Sequence, residues 1–264
     1  MTDEDRIARA ARRILEEHRD RLPMAPLPED ARPRDIAEAY VAQDRFLDLC
    51  AAEGHQVGGW KIALTTPVMQ EMMGIDRPCE GAIFTDRIHE GTGEVRDADF
   101  RKLGVESEIA MRLDRDLGAD GAPYGRENVA EAVGACMASI EIVDMRDVDR
   151  DQLDAPLLIA DNSMNRGCVI GGAVEDWRAL DLGAAAGRMV INGEAAGEGH
   201  GRDALGHPLL ALAWLANNLV ERGRMLHAGD VVLTGSIVTT KLMVAGDEMV
   251  TTIDGLGDAR LVVL

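Results

Sequence analysis

Apolar residues at the start of the chain return at helical spacing. Ile7, Ala11, Ile14 and Leu15 share one face while Arg and Glu fill the other, which predicts an amphipathic helix. A proline-rich connector over 22–33 follows, then a second helix carrying Ile36, Tyr40, Val41 and Leu47 that stops near Gly54. Beyond Gly54 the period shortens. Segments 56–65, 81–85, 104–113, 139–145, 167–173, 186–192, 229–236 and 259–264 are alternating or β-branched and bounded by Gly, Asp or Pro, as strands are. Asn192-Gly193 marks a two-residue hairpin joining Arg188–Ile191 to the segment after it. Three helices are expected within this β-rich region. One starts at Thr66-Pro67 and ends at Gly74, one spans about 126–137 with Val129, Val133, Cys136 and Met137 on one face, and one runs from Pro208 to Gly223. The pattern predicts an α+β protein: a helical segment over 1–55 packed on a mixed, mostly β domain over 56–264.

Charge narrows the function classes. The 264 residues include 28 basic and 47 acidic side chains, a formal charge of −19 spread along the chain, which disfavours nucleic acid or an anionic membrane as partner. The longest apolar run, Pro208–Ala216, is far short of the ~20 residues a spanning helix needs. The charged N-terminus shows no secretory pattern, and Cys50, Cys79, Cys136 and Cys168 form no Cys-x-x-Cys pair, so a reducing cytoplasm is the expected home. Nucleotide-binding glycine fingerprints, Gly-x-Ser-x-Gly elbows and His-x-x-x-His pairs do not occur.

Three acidic positions stand out against this background. In Gly104-Val105-Glu106-Ser107-Glu108-Ile109, strand alternation sets Glu106 and Glu108 on one face, and Glu141 lies between isoleucines in Ser139–Asp144. Either the first two line a solvated edge strand, or the three acids converge on a hard divalent cation such as Mg²⁺. Only three of the basic residues are lysines: Lys61, Lys102 and Lys241. Lys61 shares a strand face with Ala63 and Thr65, where it serves either as a proton donor or as a snorkelling surface residue. Asp161-Asn162-Ser163 is ordinary turn chemistry between the apolar run Leu157–Ala160 and another apolar strand. Thr234-Gly235-Ser236 ends a buried strand, either as a plain terminus or as a turn whose N–H groups hold a carboxylate.

Taken together these segments resemble the 2-keto-4-pentenoate hydratase and 4-oxalocrotonate decarboxylase group of the fumarylacetoacetate hydrolase superfamily. The likeness is carried by Gly59–Thr65, Gly104–Ala110, Ile140–Asp144, Ala160-Asp161-Asn162 with Val169-Ile170-Gly171, Leu205–Pro208 with Ala213–Ala216, and Gly229–Ser236. It implies a mixed β-roll preceded by N-terminal helices, homo-oligomeric assembly, and Mg²⁺ or Mn²⁺ held by Glu106, Glu108 and Glu141. Lys61 would lie beside the substrate and assist proton transfer, with Asp161 in a supporting acid–base or orienting role. Ser163, Thr234, Gly235 and Ser236 would contact substrate or water.

The implied reaction is hydration of a 2-hydroxy-2,4-dienoate from aromatic meta-cleavage to a 4-hydroxy-2-oxo acid. Decarboxylation of a 2-oxohexenedioate, hydrolytic C–C cleavage of an acylpyruvate, and a catalytically silent subunit associated with a related hydratase or decarboxylase are the alternatives. One departure bears on these choices: many relatives carry Pro-Asp-aromatic-Gly where this chain has Pro78-Cys79-Glu80-Gly81, with Glu80 expected on the opposite face of the strand. Lys241 is a further candidate to meet a distal substrate carboxylate.

Overall fold

The computed structural model describes residues 2–264. Helix α1 (Asp3–Arg19) opens with a capping box in which Thr2 and Asp5 satisfy each other's backbone N–H, and it buries Ile7, Ala10, Ala11 and Ile14. Helix α2 (Ile36–Ala52) is capped by Asp35 and buries Ala39, Tyr40, Gln43, Phe46, Leu47 and Cys50. Val41, expected on the buried face, is 49% exposed because the contact face follows Tyr40, Gln43 and Leu47 instead.

Strands β1 (Val57–Ala63) and β2 (Cys79–Phe84) flank α3 (Pro67–Met72), a short helix with no buried residue. The chain continues through β3 (Ile88–Glu90), β4 (Thr92–Val95), β5 (Leu103–Leu113), α4 (Arg126–Ala130) and β6 (Val133–Asp144). Then follow α5 (Ala155–Ala160), β7 (Asn165–Ile170), β8 (Ala186–Ile191), β9 (Glu194–His200), α6 (Pro208–Glu221), β10 (Val231–Leu242), β11 (Glu248–Ile253) and β12 (Gly257–Val263).

Two expectations are corrected here. The helix predicted over 126–137 ends at Ala130, and Val133, Cys136 and Met137 belong to β6. That strand pairs along its length with β5, for example Met111 with Cys136 and Ala110 with Met137, and it is buried on both faces. A run apolar on both sides carries no period of two, so spacing alone does not separate it from a buried helix. The apolar run Leu157–Ala160 is helical, because Asp154 caps the N-terminus of α5 and Pro156 sits in its first turn. The Asn192-Gly193 hairpin is present: both residues have positive φ, and β8 pairs antiparallel with β9.

The larger sheet has the order β2-β1-β10-β5-β6-β7-β3 and the smaller β4-β12-β11-β8-β9. Strand β2 at one edge of the larger sheet touches β7 near the other, so the sheet curls into a roll. One face packs on the smaller sheet and on the helices in a continuous core that reaches into α1 and α2. The opposite face encloses a smaller apolar cluster of Ile83, Ala110, Met137, Cys168, Ile170, Val231 and Leu233. No helix among the described residues is long and apolar enough to cross a membrane.

Candidate metal centre and its surroundings

Strand register brings the three glutamates together. Glu106 lies opposite Glu141 in the β5–β6 ladder and Glu108 lies opposite Ser139, so all three side chains leave the same face of adjacent strands. Their ligand oxygens fall within 4.8 Å of one another. Glu108 and Glu141 are fully buried and Glu106 is half-buried, which excludes a solvated edge strand for this pair.

Lys61 reaches the same face through two further ladders, pairing with Leu233 of β10, which pairs with Ala110 of β5. Its Nζ lies 3.1 Å from Glu141 Oε1, and the side chain is 5% exposed, so the snorkelling alternative is also excluded. Burial acts to lower the Lys61 pKa, but the charges of Glu141, Glu106 and Glu108 outweigh it and hold the ammonium above its ordinary range.

The partners of each carboxylate show what the cluster lacks. Glu141 Oε1 also accepts a hydrogen bond from Asn165 Nδ2 at 2.8 Å, and Glu108 Oε2 accepts the Gly235 N–H at 2.6 Å. The Thr240 hydroxyl donates to Glu106. Glu108 Oε1 and Glu141 Oε2 are buried without any hydrogen-bond partner among the described residues. Burial first, then the neighbouring Glu141 and Glu106, push the Glu108 carboxyl well above the usual carboxylate range. With all three ionised, three carboxylates face one ammonium, an excess of two negative charges. An all-oxygen donor set with two free buried oxygens and that charge fits a hard divalent cation.

Gly235 supplies its N–H by way of a local irregularity. The β10–β5 register shifts between Leu233 and Ser236, and Gly235 has φ +110°. A Cβ there would lie 2.4 Å from Thr65 Cγ2. Gly235→Ala is therefore expected to combine a left-handed penalty of about 1–2 kcal/mol with displacement of the donor to Glu108. The expected result is a lowered Tm together with divalent-ion affinity weakened about tenfold, measured by thermal melts and calorimetric titration.

The turn after α5 approaches this face from the β2 edge. Asn162, Ser163 and Met164 have φ of 62°, 51° and 61°, three consecutive left-handed residues, none of them glycine. Each costs roughly 1–2 kcal/mol unless held. Asn162 is held by two hydrogen bonds to β2, donating to Ala82 O at 2.9 Å and accepting from Ala82 N at 2.6 Å. Its backbone carbonyl lies 2.5 Å from where a Cβ on Gly81 would be, so the close approach needs glycine there. The Ser163 hydroxyl donates to Glu80 O at 3.0 Å and lies 3.7 Å from Cys79 Sγ.

Cys79 pairs in register with Ala63 and so shares the face of Lys61. Burial pushes its thiol up to about 12, which keeps it neutral. Glu80 points to the other face, where the Tyr40 hydroxyl donates to it at 2.7 Å, Asn218 Nδ2 donates at 2.8 Å, and Arg222 forms an ion pair.

Other expected residues are placed differently. Asp161 is buried against Arg146 and His18, with His18 Nε2 3.0 Å from Oδ1, and it forms no hydrogen bond or ion pair with Lys61 or the glutamates. Burial alone would raise its pKa, but Arg146 and His18 reverse that and hold it below its ordinary value. The Thr234 hydroxyl is engaged by Ile109 O at 2.9 Å, and Ser236 Oγ donates to Val238 O at 2.5 Å. Lys241 pairs with Val105, whose neighbour Glu106 belongs to the opposite face. Sequence reasoning missed Asn165, Thr240 and Arg146. Of these, only Asn165 carries a signal in the sequence, a lone amide at the head of an apolar strand.

Comparison with known proteins places these features in context. Residues 83–264 match the family described as Fumarylacetoacetate (FAA) hydrolase C-terminal. A 2-keto-4-pentenoate hydratase of Paraburkholderia phymatum is 36% identical over 265 residues, covering 98% of each chain. A 2-hydroxyhexa-2,4-dienoate hydratase of Comamonas testosteroni is 34% identical, covering 99% of this chain and 98% of that one. The solved 4-oxalocrotonate decarboxylase of Pseudomonas putida G7, complexed with magnesium and adipate, superposes with a TM-score of 0.91 at 26% identity, covering 100% of this chain and 99% of that chain.

Proposed function

The chain belongs to the fumarylacetoacetate hydrolase family, and from that premise we propose that it is a divalent-metal-dependent hydratase converting a 2-hydroxy-2,4-dienoate to a 4-hydroxy-2-oxo acid. The observation that carries the reading is the convergence of Glu106, Glu108 and Glu141 with Lys61 on the inner face of the roll. Full-length relatives named as hydratases of such dienoates support it.

Glu106, Glu108 and Glu141 would hold the ion, with Mg²⁺ as first choice and Mn²⁺ suited to the same oxygens. When bound, such an ion supplies Lewis acidity to the carboxylate and 2-oxygen of an oxo acid. The chain's own residues do the rest. Lys61 holds a proton at Nζ and delivers it to the far carbon of the dienol while the 2-hydroxyl gives up its own proton, which restores the ammonium; the resulting α,β-unsaturated ketone then takes the hydroxyl of water at C4 and its proton at C3. The neighbouring apolar cluster around Ala110, Met137, Cys168 and Leu233 keeps this wall of the site dry and so strengthens its electrostatics. Ser163, whose hydroxyl proton goes to Glu80 O, is assigned to the attacking water, which it can accept from, and Gly235 to orienting Glu108. Cys79, neutral beside Ser163, leaves Lys61 as the proton carrier on this face.

The same reading includes self-assembly in the cytoplasm, for which the exposed Val68, Met69 and Met72 of α3 offer an apolar surface. Ultracentrifugation checks it.

The test is the ultraviolet absorbance of freshly generated 2-hydroxypenta-2,4-dienoate. Rapid decay with Mg²⁺, formation of 4-hydroxy-2-oxopentanoate and arrest by EDTA are expected. No decay, with release of CO₂ from 2-oxohex-3-enedioate, would instead assign the decarboxylase reaction.

A further inference from the structure

We propose that Arg146, gripped by helix α1, is a positioning residue for this site: through Asp161 it sets the left-handed turn Asn162–Met164, and with it Ser163 and Asn165. The proposal rests on the hydratase reading for the roles of the last two residues. Arg146 is 1% exposed and forms an ion pair with Asp161, the residue immediately before the turn. Two residues of α1 close around the pair. His18 Nε2 lies 3.0 Å from Asp161 Oδ1, and Glu17 Oε2 lies 3.8 Å from Arg146 Nη1. The backbone of Arg146 is fixed as well, its N–H donating to Asp144 Oδ1 at 3.0 Å and its carbonyl accepting from Met24 N at 2.8 Å.

The cluster is poorly satisfied for a stabilising device. Arg146 Nε and Nη1 and Asp161 Oδ2 are buried without hydrogen-bond partners among the described residues. Buried ion pairs of this kind are weak contributors to stability, and their better-attested use is to select one arrangement among several. The arrangement selected here is the strained turn. It carries Ser163 to Glu80 O on one side and leads straight into Asn165, which donates to Glu141 at 2.8 Å. The grip comes from residues 17 and 18, outside the family-matched 83–264. Helix α1 is then part of the catalytic apparatus.

The experiment combines Arg146→Met, Ser163→Ala and the double variant with Mg²⁺ titration, steady-state kinetics and amide exchange over 162–165 in the full chain. Outer groups that orient ligands typically matter by about 10–100-fold. Arg146→Met is expected to lower kcat by about that much with KM changed less than about threefold, to weaken Mg²⁺ binding, and to speed exchange in the turn. The double variant is expected to be little worse than the more impaired single one, since both act through one unit. Arg146→Lys, which keeps the charge without the guanidinium fork, is expected to recover part of the loss. Wild-type kcat and exchange in Arg146→Met, or fully additive effects, would overturn the proposal.

If Arg146→Met does not fold, His18→Phe carries the same test. It retains the ring contact with Phe46, at 5.1 Å between centroids, while removing the Asp161 contact. A smaller loss in the same direction is expected, and unchanged exchange and kcat would again overturn it. Should the wild-type protein not turn over the dienoate, the hydratase reading fails by itself, and exchange and Mg²⁺ affinity still decide the role of Arg146.

Discussion

Glu108→Gln is expected to abolish divalent-ion binding and turnover while making the metal-free protein more heat-stable. Glu108 is fully buried, one of its oxygens has no partner, and Glu141 and Glu106 face it with the same charge. A neutral amide removes that repulsion and still accepts the Gly235 N–H. Losing a single buried like charge should be worth roughly 1–3 kcal/mol, and each kcal/mol moves Tm by about 2–4 °C in a chain of this size. In function the sign reverses. Outer groups already matter by about 10–100-fold, so a missing direct ligand should leave less than about a hundredth of wild-type activity at any Mg²⁺ concentration tested. Melts with EDTA and with Mg²⁺, beside the dienoate assay, read both effects. Retained Mg²⁺ affinity in Glu108→Gln would remove the metal centre from the hydratase reading.

Lys61→Met is expected to separate binding from chemistry. Among the described residues the ammonium is the one cation within hydrogen-bond reach of the three glutamates, 3.1 Å from Glu141, so its removal leaves their charge uncompensated. Breaking a buried pair in this way typically costs about 3–5 kcal/mol. The metal-free variant should therefore melt well below wild type, and Mg²⁺ should restore most of the difference because it neutralises the same carboxylates. Turnover should not follow. A positioned proton donor contributes about 10²–10⁴-fold, and kcat should fall by that factor even where the Mg²⁺ site is full. A variant with near-normal kcat would move the proton-transfer role away from Lys61. Paired with Glu108→Gln, it distinguishes loss of the ion from loss of the proton donor, since only the former abolishes Mg²⁺ binding.

Much of this centre was visible in the chain before any folding. Glu106 and Glu108 alternate with apolar residues, so their shared face follows from the pleat, and Glu141 stood out as an acid between isoleucines. Lys61 drew notice as one of three lysines among 28 basic residues, placed beside small side chains. These were legible because a strand converts spacing directly into direction. The eight anticipated strands, the Asn192-Gly193 hairpin and the helices at 67–72 and 208–221 follow from equally local rules. Where local rules conflict, spacing misleads. Residues 133–137 pass for a helix because a strand buried on both faces has no alternation to display.

What folding alone decided is which polar groups meet. Asp161, for which the resemblance implies a supporting acid–base or orienting role, has its carboxylate taken up by Arg146 and His18, 15 and 143 residues away in sequence. Thr234 and Ser236 spend their hydroxyls on backbone carbonyls, whereas Asn165 and Thr240, which drew no attention, donate to Glu141 and Glu106. Those pairings depend on the register of seven strands and on how far the sheet curls, quantities set by the sum of many long-range contacts. By itself the sequence determined the direction in which each strand residue points, because that depends only on its neighbours in the chain. The identity of each buried charge's partner was left to the tertiary structure, because a buried charge pairs with whatever the closed roll brings within hydrogen-bond distance.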